Sequence, residues 1–203
     1  MYQIFKKGGP LWPLFFYLRD MDLRSEILRE HSKENTAAIA AWVGNDPVRL
    51  ARLADLFLYD EYRVVQRAAW ILSQVAEKHP ALIQPHLAAM VDRMGHPGIP
   101  VAVKRNVVRI LRDMPVPEDL QGPVMNFCFQ FLEDPKETIA VKAFSMKVLG
   151  DLAKIYPDIR GEIVMLIEDH LREGATPGIR SRGMRTLKEL GALKSGGKRA
   201  HGD

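Results

Sequence analysis

A chain of 203 residues that is 47% hydrophobic and 27% charged can bury a sizeable core, which excludes wholesale disorder. Its net charge of +4 is concentrated at the end: residues 174–203 carry 7 basic and 2 acidic side chains while the remainder is balanced, so the pI near 9.2 does not mark a basic protein throughout. One cysteine, Cys128, excludes an intramolecular disulfide and points to a reducing, cytoplasmic compartment.

Residues 1–20 form an atypical N-terminal extension. Their apolar run Leu11-Trp12-Pro13-Leu14-Phe15-Phe16-Tyr17-Leu18 is short, broken by Pro13 and followed by Arg19-Asp20, so neither an export signal nor a membrane span is expected. Two readings stand: an apolar cap on the first helices, or an upstream extension with Met21 as the functional start. From Asp22 onward, helix follows helix. Leu23, Ile27 and Leu28 mark the first, residues 33–43 the second, and Asp46-Pro47 supplies an N-cap and a first-turn proline for 48–58. Helical pairs follow at 61–78 with 81–94, 101–113 with 117–132, and 136–155 with 158–172, and a last helix over 178–190 ends at Gly191. Residues 193–203 have the composition of a disordered basic tail, and no stretch alternates as a strand would.

The helices repeat. Val103, Val141 and Ile179 lie 38 residues apart (103, 141, 179), and Val107, Ser145 and Gly183 follow at the same spacing. So do Ile110, Val148 and Thr186, and Leu111, Leu149 and Leu187; Val64, Ala68, Ile71 and Leu72 begin the series with a step of 39 (64 to 103). A fixed period of this length predicts stacked helical hairpins, because one hairpin cannot bury its own apolar face. The expected fold is all-α: a right-handed α-solenoid of antiparallel helix pairs, forming a single domain over residues 21–192.

Asp134-Pro135, then Val141-Lys142, then Val148-Leu149-Gly150 resembles the HEAT-repeat consensus; Val103-Lys104 with Ile110-Leu111, and Ile179-Arg180 with Leu187, match it too. The resemblance covers roughly residues 46–192, and implies an armadillo-type fold whose second helices line a concave binding face. The chain is also similar to short bacterial HEAT-like proteins that share Arg67-Ala68-Ala69-Trp70, Lys104-Arg105-Asn106 and Ala140-Val141-Lys142-Ala143-Phe144-Ser145-Met146. Some of these carry an adenylosuccinate lyase label. That enzyme's Ser-Ser-x-Met-Pro-x-Lys-x-Asn-Pro loop is absent here, and the chain is too short for its core.

On stacked hairpins, equivalent positions form rows. Lys104, Lys142 and Arg180 make one, Trp70, Arg109, Lys147 and Arg185 another, and Arg105, Arg109 and Arg112 share a stripe of one helix. Such a track suits an acidic protein or peptide, bound by Trp70, Lys104, Arg105, Arg109, Lys142, Lys147, Arg180 and Arg185. The competing reading pairs these cations with Glu137, Asp151, Glu162, Glu168 and Asp169 on neighbouring loops and helices. A nucleic-acid binder related to HEAT-like alkylpurine DNA glycosylases is the alternative, although no Trp-Trp-Asp-like cluster is present and residues 61–173 are nearly neutral. No catalytic constellation assembles, and no cofactor or metal site is expected: the six histidines are scattered and Cys128 falls on an apolar stripe. Glu168-Asp169-His170 reads as structural, with His170 near its own helix's carbonyl end.

Overall fold

The computed structural model describes residues 22–193, so the expectations for residues 1–20 and for the tail beyond Leu193 lie outside the described residues. Among the described residues every regular element is helical. One compact unit ends at Arg93 and a second begins at Met94.

The first unit holds α1 (Leu23–Arg29), α2 (Lys33–Val43), α3 (Pro47–Tyr59), α4 (Tyr62–Lys78), α5 (Pro80–Ile83) and α6 (Leu87–Met94). Side chains cap the first three: Asp22 accepts from Arg24 N–H, Ser32 from Asn35 N–H, and Asp46 from Val48 and Arg49 N–H, each satisfying amides that a helix start leaves unpaired. Helix α4 is central and packs on α1, α2 and α3. Its Val64, Ala68, Ile71 and Leu72 are buried, against Leu50, Leu53 and Phe57 of α3 in the same core. Arginines serve as distant caps: Arg67 donates to Ile27 and Leu28 carbonyls at 3.0 and 2.8 Å, Arg49 to Trp42 O at 2.6 Å, and Arg93 to Leu58 O at 2.9 Å. Each fills carbonyls at a helix end with a charged donor, which suits the negative end of the helix dipole. The continuous helix expected over 81–94 is interrupted, because Pro85 sits in a 3₁₀ turn (Gln84–His86) between α5 and α6 and cannot donate an amide to a regular ladder.

The second unit holds α7 (Val101–Arg112), α8 (Glu118–Glu133), α9 (Ile139–Leu152), α10 (Arg160–Arg172) and α11 (Pro177–Glu189). Helix α9 contacts both α7 and α11, making a row of three, with α8 against α9 and α10 against α11 and α9. The repeat is physical: Val103, Val141 and Ile179 are all buried, as are Val107, Ser145 and Gly183, then Ile110, Val148 and Thr186, then Leu111, Leu149 and Leu187. Helix starts keep the period, at 101, 139 and 177. Helix α9 begins three residues later than expected, because Asp134–Glu137 closes a turn in which Asp134 accepts from Lys136 N–H at 2.8 Å and Glu137 N–H reaches Asp134 O at 3.1 Å.

One helix crossing shows how close the row is. A Cβ on Gly150 would lie 2.9 Å from Thr186 Cγ2, a methyl on a fully buried, β-branched side chain that has little room to rotate. Gly150→Ala is therefore expected to cost ~1–3 kcal/mol of stability through overpacking. Thr186→Ser, which deletes that methyl, should recover most of the loss in the double variant, and urea denaturation of the four proteins measures the coupling directly.

Candidate functional site

The row α7–α9–α11 buries one side of each helix and presents another to solvent, and the basic residues named from the sequence divide into distinct groups on it. Arg105, Arg109, Arg180 and Arg185 are exposed, and none has a carboxylate partner among the described residues. Arg112 instead pairs with Asp113 and lies over the Phe144 ring, 4.8 Å from its centroid, so the expected Arg105–Arg109–Arg112 stripe loses its last member to an internal contact.

The lysines behave differently. Lys104 donates to Glu137 Oε2 at 3.2 Å and sits 5.4 Å from the Phe131 ring centroid. The pair is sheltered, with the Glu137 side chain 4% exposed and that of Lys104 27%. Lys147 pairs with Asp151 and, at 3.9 Å, with Glu189. Burial alone would raise the Asp151 carboxyl, but hydrogen bonds and charge from Lys147 and Lys154 outweigh it and hold the pKa below the usual carboxylate value. Lys154 is correspondingly raised, first by its hydrogen bond to Asp151 and then by that residue's charge. Lys142 is 8% exposed and has no hydrogen-bonded or ionic partner among the described residues.

The sequence reading overlooked an acidic row beside the basic one. Asp113, Asp151 and Glu189 recur at 38-residue spacing (113, 151, 189), four positions beyond Arg109, Lys147 and Arg185. Four residues is one helical turn, yet Lys147 alone of the three takes its own acid, since Asp113 pairs with Arg112 and Glu189 with Lys147. Applying the period to acidic as well as basic positions reveals it.

Trp70 belongs to the first unit, on α4. It is 37% exposed, and its ring meets His31 edge-on at 5.6 Å between centroids. The indole is thus partly packed by a neighbouring ring.

The remaining titratable groups are tied down. Burial pushes the Cys128 thiol up to about 12, so it stays protonated and unreactive at neutral pH. His170 Nε2 lies 2.8 Å from Leu132 O, so its carbonyl partner belongs to the end of α8 and not to its own helix as expected. The expected polar cluster is divided further by Arg172, which takes Asp169. Among the described residues, no group of three or more histidine, cysteine or acidic side chains could hold a metal ion, and no helix is long and apolar enough to cross a membrane.

Comparison with curated proteins and with solved structures gives no significant match. A family model, the HEAT repeat domain, matches residues 23–190. That span takes in every helix from α1 to α11, and HEAT repeats are in general helical scaffolds for protein interaction. By this match and by the buried 38-residue pattern, the chain belongs to the HEAT repeat family.

Proposed function

We propose that residues 21–192 act as one non-enzymatic interaction module that holds an acidic protein or peptide segment on the exposed side of α7, α9 and α11. The observation that carries this reading is the set of four exposed arginines, Arg105, Arg109, Arg180 and Arg185, left without carboxylates on a surface whose lysines Lys104 and Lys147 have them. Ion-paired lysines are already satisfied and gain little from a ligand, whereas a free guanidinium offers a planar fork that matches a carboxylate. The contact set is accordingly centred on these arginines and on Lys142. Lys104 and Lys147 hold the local geometry, and Trp70 supplies a separate aromatic contact on the first unit.

The test uses a fluorescein-labelled oligoglutamate peptide read by polarisation. Arg109→Glu/Arg185→Glu is expected to weaken binding by about tenfold or more, since two exposed charges change sign at a cost near 1 kcal/mol each. Unchanged affinity would overturn the reading. A labelled duplex DNA in a parallel gel shift addresses the alternative: tight binding that falls steeply between low and moderate salt, with none to oligoglutamate, would move the assignment to nucleic acid.

A further inference from the structure

Two successive loops of the second unit, 134–138 and 173–176, both end on a threonine ahead of the next helix, but the residue before it is Glu137 in the first and Ala175 in the second. Ahead of α9, Glu137 places its carboxylate between two donors: Lys104 Nζ at 3.2 Å and the Thr138 backbone N–H at 2.8 Å, with the Thr138 hydroxyl at 3.3 Å. The lysine reaches forward from α7 to the loop that opens the next helix of the row. One period later the lysine and the threonine recur and the acid does not. Lys142 stands for Lys104, Thr176 for Thr138 as the residue ahead of α11, and Ala175 for Glu137 (137, 175).

The consequences are visible in the donors. Lys142 is 8% exposed and unpaired among the described residues, so its aliphatic stem is enclosed while its ammonium emerges with no carboxylate to meet it. The Thr176 side chain, with no carboxylate to meet, turns to accept from Ile179 N–H at 3.5 Å, whereas the Thr138 hydroxyl makes no such cap. Arg180, exposed and unpaired, lies one turn into the same helix. The fully enclosed, partnerless side-chain atoms among the described residues are Trp42 Nε1, Ser145 Oγ and Thr186 Oγ1; the Lys142 ammonium is not one of them, so an approaching group can reach it.

We infer that Lys142, the start of α11 at Thr176 and Arg180 form a carboxylate socket, which a bound polypeptide fills with the group that Glu137 supplies from within the chain one repeat earlier. The inference deepens the acidic-segment reading and rests on it. The position that leaves the socket open is Ala175. The carboxylate comes from an acidic side chain or from a chain terminus, and both present the same two oxygens.

Ala175→Glu restores the missing acid and becomes an internal competitor. It should raise the thermal midpoint in the native background but not alongside Lys142→Met, which keeps the buried stem and removes the charge. In polarisation assays with C-terminally amidated oligoglutamate, Ala175→Glu and Lys142→Met are each expected to weaken binding by about fivefold or more. A neutral oligoglycine with a free carboxyl terminus separates the two sources, since saturable binding lost in Lys142→Met assigns the socket to chain ends. If Ala175→Glu leaves the midpoint unchanged and both variants bind oligoglutamate as the native chain does, the socket is wrong. Loss of binding in Arg109→Glu/Arg185→Glu alone would then leave the broader surface standing. Failure of the native chain to bind either peptide would overturn both.

Discussion

Val141→Asp is expected to unfold the second unit. Val141 is fully buried on α9, the helix that packs against α7, α8, α10 and α11, so a carboxylate placed there is cut off from water. An unpaired buried charge and the disrupted packing together exceed about 4 kcal/mol, a large share of the stability of a domain this size. Ile179→Asp makes the informative comparison. Ile179 holds the equivalent position on α11 but is 6% exposed, and α11 is flanked in the row by α9 alone. The new charge can be relieved by a small outward shift of one helix, so a weakened but folded unit is expected. Circular dichroism with urea titration distinguishes the two, and equal losses would mean that α9 is not the centre of its unit.

In the first unit the largest effect is expected from Phe57→Ala. Phe57 is the bulkiest of the fully enclosed side chains there, on α3 where it packs toward α4. Removing the ring forfeits its transfer free energy and leaves a cavity that surrounding helices, held by the distant arginine caps, close only in part. A loss of ~3–5 kcal/mol follows. Phe57→Leu retains most of the volume and should cost less than half as much. Equal losses from the two variants in urea would show that the site collapses freely and that ring volume is not what the core requires.

Much of this architecture was legible because burial repeats with the sequence. Val103, Val141 and Ile179 could be aligned before any coordinates, since a solenoid writes the same packing demand into each turn of the chain. Asp46-Pro47 was readable for a local reason: cap and first-turn proline act on adjacent residues. The start of α9 was misplaced because Glu137, a good helix former, is held instead by Lys104 from another helix. His170 and the arginine caps were hidden for the same cause, as their carbonyl partners lie far away in sequence. The basic rows were visible, but not which members were neutralised. That depended on acids at the loop and helix-end positions, where Glu137 has Ala175 as its successor and Asp113 has Asp151 and Glu189.

Gly191 shows a finer boundary. The end of α11 was expected there, and its φ of 65° allows Ala192 N–H to return to Leu187 O at 2.8 Å, a closing bond that a residue with a Cβ would form only under strain.

The central claim is that free cations on α7, α9 and α11 receive carboxylates, and residue-resolved NMR titration with oligoglutamate addresses it directly. Saturable shifts are predicted for the side chains of Arg105, Arg109, Lys142, Arg180 and Arg185, with Lys104 and Lys147 moving little because Glu137 and Asp151 already occupy them. Shifts confined to other surfaces, or equal shifts for paired and unpaired cations, would contradict it.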